Sequence, residues 1–317
     1  MNYEVFSHSK YRNGTKSGDD ATLLVPGRVA AVMDGATDPL GGQKNGKSPG
    51  QFAAYSVAQS CSQIFIDPAN MTLPTETILG RLADELAANV SKQGFVGTPS
   101  TTLAIALFLP ETVRLLTIGD SGIRLNGDKI YHHCKLIDDV SVSARVGVFS
   151  ILNERISDLD LLEYTTRDVI FLGLEEAVSN GTLQRAEAQS VIAATQLEFA
   201  QWSLDDDIVD FLNNGIKSQS RFANLTGHQL GFSALNGTAP SLDDVMDVTL
   251  PIDEIKTLEL FSDGYINLPK GRSIKDWEAE HQAVEQSDYH KIGAFRSVKG
   301  STKTEYFDDR SIISIQL

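Results

Sequence analysis

Five apolar runs in this chain begin or end on an aspartate. Asp19 and Asp20 precede "TLLV" at 22–25, Asp34 closes "RVAAVM" at 28–33, and Asp120 closes "VRLLTIG" at 113–119. Asp263 follows "LELFS" at 258–262, and Asp308 and Asp309 precede "SIISIQL" at 311–317. Short apolar runs bounded by turn residues read as buried strands. Taken singly, an aspartate at a strand end is turn chemistry, and the Asp-Gly pairs at 34–35 and 263–264 are common turn formers. Five charged strand ends are a different matter, because strand ends on one rim of a sheet can converge. A rim of carboxylates is what a hard cation needs, since magnesium and manganese take carboxylate, carbonyl and water oxygens. In the Asp-Gly pairs the glycine lets a backbone carbonyl approach an ion.

The rest of the chain sets the frame. Its 317 residues amount to one large domain or two small ones, and 41% apolar residues supply a substantial core. A formal charge of −15, from 42 acidic against 27 basic residues, argues against a surface for duplex nucleic acid or anionic membrane. The opening "MNYEVFSHSK" lacks a basic head followed by an apolar stretch, and "LAIALFL" at 103–109 is too short to span a bilayer. A reducing cytoplasm is the expected compartment, since Cys61 and Cys134 form neither a disulfide framework nor a zinc pattern. Cys61 falls on the apolar face of a predicted helix and reads as a small core residue. If His132 and His133 lie in a strand, only one of them faces any site. His8, His228, His281 and His290 are scattered.

Along the chain, "TLLV" and "RVAAVM" read as a hairpin of buried strands. A loop follows at 34–50 with five glycines and two prolines. Long structured loops in compact domains are often functional. Ser48, Pro49 and Gln51 fit an N-cap, a first-turn proline and a capping-box partner for a helix carrying Ala54, Val57, Cys61 and Ile64 on one face. A second helix is predicted over about 75–92. Residues 101–132 read as an antiparallel meander turning at Pro110-Glu111 and at Asn126-Gly127. From about 139 to 230 helical patterns dominate, with Ser203 and Asp206 starting one helix and Gly215 ending it. Strand character returns at 256–263 and in "SIISIQL". The organisation expected is a single domain over 1–317 with a helical insertion at about 139–230.

The motifs "GDDATLLV", "VMDGATD", "STTLAIAL", "TIGDSGIRL", "LFSDGY" and "FDDRSIISIQL" occur in this order. Together they resemble the metal-dependent protein phosphatases, the PPM or protein phosphatase 2C-like family, in a bacterial-type form. The stretch "LGFSALNG" at 230–237 looks like a segment of its smaller bacterial members. The match covers roughly 17–126 and 256–317. The resemblance implies an α+β fold, a four-layer αββα sandwich of two antiparallel β-sheets flanked by helices, with the insertion as a helical flap. It implies two Mn2+ or Mg2+ ions and a weak third. Asp20, Asp34, Asp263 and Asp308 would be ligands, Asp34 bridging, and Gly35 would offer its carbonyl. Asp19 would act through water, Asp120 would serve the third ion, and Asp309 stands beside the second metal where the family often has Asn. The implied activity is hydrolysis of phosphoserine or phosphothreonine in a protein substrate by a metal-activated water, with Asp34, Asp263 and Asp308 as the catalytic set.

Three positions depart from the family pattern. Thr15 stands where a phosphate-binding Arg is common, leaving Lys16 and Arg12 as the nearby candidates for substrate phosphate. Ala36 replaces a His found in eukaryotic members, and Asn267 replaces an Asp four residues beyond Asp263. Two other readings stand beside the enzyme. One is a catalytically weak regulatory or metal- and phosphate-sensing protein on the same fold, acting through a partner; good turnover of a phosphopeptide rejects it. The other is an interaction protein whose aspartates are turn residues; tight manganese binding lost in Asp34→Ala rejects it.

Overall fold

The computed structural model describes residues 1–14, 16–36, 42–95 and 97–317. Thr15 lies outside the described residues, as does the stretch 37–41, which ends the VMDGATD motif and opens the Gly-rich loop. In chain order the strands and α-helices are β1 (Asn2–His8), β2 (Ala21–Val25), β3 (Val29–Met33), α1 (Pro49–Ile64), α2 (Thr75–Gln93), β4 (Leu103–Phe108), β5 (Thr112–Ile118), β6 (Gly122–Leu125) and β7 (Lys129–Tyr131). They continue with α3 (Leu136–Asn153), α4 (Leu159–Leu172), α5 (Leu174–Ser179), α6 (Arg185–Glu198), α7 (Asp205–Asn214), β8 (Met246–Pro251), β9 (Thr257–Phe261), α8 (Ile274–Ser287) and β10 (Arg310–Gln316).

The continuous apolar runs have a simple cause. Successive side chains of a strand face opposite ways, and β3 and β4 are buried on both faces. Ala31, Met33, Ile105 and Leu107 pack against α1 and α2 through Val57, Cys61, Leu82 and Leu86. Their neighbours Ala30, Val32, Ala104 and Ala106 pack the other way, against Ile123, Leu258, Leu260, Ile313 and Ile315 of a second sheet. The sheets are β2-β3-β4-β5-β8 and β1-β10-β9-β6-β7, each antiparallel throughout. Beyond the second sheet, Trp277 of α8 covers Phe261 and Ile312. The architecture is therefore an αββα sandwich.

Residues 101–132 form two hairpins rather than one meander. β4 and β5 pair in the first sheet, whereas β6 and β7 belong to the second, with β6 bonded to β9. Gly119, Asp120 and Ser121 carry the chain across. Asn126 and Gly127 both have positive φ, 54° and 81°, as a type I′ hairpin turn requires.

Two helix starts differ from the sequence reading. Ser48 caps α1, accepting from the Gln51 N–H, but the Gln51 amide donates to Ser17 and the Gly18 carbonyl instead of closing a capping box. Helix α7 starts at Asp205 without a side-chain cap, and Ser203 is left-handed at φ 53°. Burial of Leu204 in the helical core sets that start. Gly215 ends α7 with φ 72°.

Helices α3 to α7 share one apolar cluster running from Ile137 to Leu230. This unit is bolted to the segment before β10. Arg145, fully buried, meets Glu163 at 2.5 Å and donates to the carbonyls of His290, Lys291 and Ser297. Glu163 also accepts the Gly300 N–H at 2.6 Å. Among the described residues, no helix is long and apolar enough to cross a membrane.

Candidate metal centre

Asp34 follows β3, and its backbone is fixed from two sides. Its N–H donates to Thr102 Oγ1 at 3.0 Å, and its carbonyl accepts from the Thr102 N–H and from Thr101 Oγ1. Thr102 in turn shares a 2.6 Å hydrogen bond with Ser121. Thr101 exchanges backbone bonds with Leu235, and Ser233 accepts from the Gly119 N–H. The sequence motifs thus interlock: "STT" holds Asp34, and "GDS" and "LGFSALNG" hold "STT".

Glycine is required at two of the aspartate pairs by close approach. A Cβ on Gly35 would lie 2.4 Å from the Gly50 backbone, where α1 begins. A Cβ on Gly264 would lie 1.9 Å from the Asp309 carbonyl oxygen.

Asp20 and Asp19 divide their work. Asp20 is buried, with Oδ2 accepting from Ser262 at 2.8 Å and Oδ1 buried without a partner. Asp19 turns to the start of α1, where it accepts from Ser48 Oγ at 2.6 Å. Asp309 accepts the backbone N–H groups of Lys10 and Asp19 on its two oxygens. It ties the N-terminal segment to the last strand, and an Asn there would offer only one of the two acceptors.

The carboxylates influence one another's ionisation. Burial, then the charges of Asp20, Asp308 and Asp120, push Asp34 well above the usual carboxylate range. Burial, then Asp34, Asp308 and Asp120, do the same to Asp263. Asp20 is pushed up to about 8 by burial and then by Asp309, against the hydrogen bond from Ser262. Asp308 goes the other way: burial opposes ionisation, but Lys299 and Lys10 outweigh it and hold the carboxyl below its ordinary value. Lys299 lies 3.1 Å from Asp308, and Lys135 lies 2.8 Å from Asp120.

These oxygens suit a hard divalent cation. Asp20 Oδ1 and Asp120 Oδ1 are buried orphans, and buried acceptors normally have partners. Asp34 and Asp263 repel each other, and the charge of Lys135 offsets that repulsion only in part. Among the described residues, no three His, Cys, Asp or Glu side chains are grouped to hold one ion. Magnesium is usually held by only one or two carboxylates and completes its shell with water. Asp20, Asp34, Asp263, Asp308 and the Gly35 carbonyl can therefore serve two such ions. The donors for a third are fewer and partly engaged. Asp120 is already paired with Lys135, and Asn267 is turned to Glu280 at 2.6 Å.

The two candidates for substrate phosphate differ in their surroundings. Arg12 donates to Glu285 at 2.7 Å and to the carbonyls of Thr302 and Glu305, with its guanidinium 3.9 Å from the Tyr306 ring centroid. These bonds engage Nε and Nη2 of the guanidinium in structural contacts. Lys16 is exposed over the Tyr11 ring.

Beside Asp120 and Asp263 opens a cleft of about 370 Å³, walled by Lys135, His132, His133 and Arg296. Both histidines face it because β7 ends at Tyr131 and strand alternation ends with it. Sequence reasoning missed the lysines at this rim: Lys10, Lys135 and Lys299. Lysine is the commonest solvated residue, and nothing local marks these three.

The fold and rim together define a two-sheet sandwich with an acidic centre where both sheets meet. No protein-family model matches the sequence, and neither does any curated protein. Solved structures match over nearly the whole chain, several of them bacterial serine or serine/threonine phosphatases. The PstP catalytic domain in complex with two manganese ions is 13% identical, covering 99% of this chain and 96% of that one at a TM-score of 0.45. Stp1 from Staphylococcus aureus is 11% identical (100% and 95% covered, TM-score 0.45). PppA from Pseudomonas aeruginosa, a regulatory component of T6SS, is 14% identical (100% and 97%, TM-score 0.44).

Proposed function

We propose that this chain is a bacterial-type member of the metal-dependent protein phosphatases, hydrolysing phosphoserine or phosphothreonine in protein substrates. What supports this most is the mutual repulsion among buried Asp20, Asp34, Asp263 and Asp308 near the junction of both sheets, with Asp20 Oδ1 left without a partner among the described residues. Two Mn2+ or Mg2+ ions held there supply a water of lowered pKa and neutralise phosphoryl charge.

The chain's own residues do the positioning. Thr101 and Thr102 fix the Asp34 backbone, so its carboxylate leaves the sheet in one direction. Ser262 orients Asp20, and Asp309 holds residues 10 and 19 against the last strand. The cleft beside Asp263 admits the phosphorylated side chain from the solvent side. Ala36 offers no proton to the leaving oxygen. His133 stays neutral at pH 7, because burial and then the neighbouring His132 lower its pKa.

The test is a matrix of manganese, magnesium, calcium and chelator against phosphoserine, phosphothreonine and phosphotyrosine peptides and a generic aryl phosphate. Turnover with manganese or magnesium, abolished by chelator and reduced at least about 10²-fold in Asp263→Asn, is expected. Metal-dependent turnover unchanged in Asp263→Asn would reject the assignment.

A further inference from the structure

Lys135 is held in place before its charge is considered. It immediately precedes α3, and its carbonyl accepts the Asp138 N–H at 3.0 Å in the first turn. Its ammonium is boxed in. Asp120 Oδ2 lies at 2.8 Å, Asp138 Oδ2 at 3.9 Å, and the Phe232 ring centroid at 5.3 Å. Only 16% of the side chain is exposed, against 29% for Lys299 at Asp308. Its charge also acts on Asp34 and Asp263.

The carboxylate that the family resemblance would place four residues beyond Asp263 is absent here. Asn267 offers an amide where a carboxylate would be needed, and that amide is engaged by Glu280. A divalent ion on Asp120 would share a single carboxylate with an ammonium that cannot leave its box, and the two cations repel.

We propose that Lys135 is a resident cation at Asp120, taking the position a further divalent ion would need, so that this rim holds two exchangeable ions and one tethered ammonium. The inference rests on the two-ion reading above for the total count, but not for the contribution of Asp120. The cation sits at the start of α3, so the placement of that helix sets the charge balance of the centre.

Manganese binding to the full chain, counted by calorimetry and by the electron paramagnetic resonance of free Mn2+, tests this without reference to activity. Wild type and Asp120→Asn are expected to bind the same number of ions. Lys135→Met is expected to gain one ion, and the Lys135→Met/Asp120→Asn double variant to lose it again. An ion lost in Asp120→Asn alone overturns the proposal. So does a Lys135→Met protein that keeps the wild-type circular dichroism and gains none. If Lys135→Met does not fold, the comparison of wild type with Asp120→Asn still decides. Absence of any bound ion in wild type defeats the two-ion reading instead, and the gain in Lys135→Met is scored separately.

Discussion

Ser262, at the end of β9 in one sheet, donates its hydroxyl hydrogen to Asp20, which stands before β2 in the other, at 2.8 Å. The same hydroxyl oxygen accepts the Ser311 N–H at 2.8 Å, so its direction is fixed. Groups that orient a metal ligand typically change affinity by about 10–100-fold when removed. Ser262→Ala is therefore expected to weaken manganese binding by roughly that factor, read by calorimetry, with little change in secondary structure. An unchanged affinity would remove Asp20 from the ligand set.

Crowding at Asp34 predicts a reversal of stability. In the metal-free protein its charge faces Asp20, Asp308 and Asp120, so Asp34→Asn is expected to melt at or above the wild-type temperature in chelator. Manganese at one hundred times its dissociation constant adds about 2.7 kcal/mol to a protein that binds it only when folded. That upward shift in Tm is expected for wild type and is expected to vanish in Asp34→Asn. A variant less stable in chelator that still responds to manganese would contradict both statements.

Arg12 separates structure from substrate binding. Its contacts with Glu285, two carbonyls and the Tyr306 ring cannot be reproduced by a lysine, which lacks the planar fork. Arg12→Lys is expected to lower stability by roughly 2 kcal/mol in urea unfolding while leaving KM for a phosphopeptide within about twofold. A large rise in KM at unchanged stability would restore Arg12 to the phosphate.

His281 of α8 gives a pH dependence away from the metal centre. It is 3% exposed, neither ring nitrogen has a hydrogen-bond partner among the described residues, and it lies between Tyr306 and Phe307. Burial, and then Arg310, lower its pKa to about 4. The unfolded chain takes up this proton near the ordinary histidine value of about 6.5, whereas the folded chain resists until about 4. The resulting stability is fully present above 6.5 and lost as pH falls through 4, roughly 2–3 kcal/mol in all. His281→Phe is expected to flatten the fall in Tm between pH 6.5 and 4, and to be near neutral at pH 7. An equally steep acid limb in the variant would exclude His281 as its source.

The aspartates were legible because each sits beside an apolar run whose burial can be read locally, and because Gly35 and Gly264 mark places where backbones touch. Sheet membership was not legible: β6 pairs with β9, far along the chain, and no local pattern announces that Gly119 to Ser121 change sheets. The capping assignments at Gln51 and Ser203 failed where tertiary partners took over. Gln51 binds the loop at 17–18, and burial of Leu204 shifts the start of α7. Lys135 and Lys299 acquire meaning only from the carboxylates they meet.

Strand β10 is inserted between β1 and β9, so residues 310–316 are the seam of their sheet, and Asp308 and Asp309 arrive with them. A ribosome-bound chain that has made everything up to residue 300 holds β1 and β9 with nothing to join them. It also lacks the carboxylate that pins Lys10 and Asp19 in place. The Asp308 and Asp309 carboxylates therefore join the others only after nearly all of these residues have emerged.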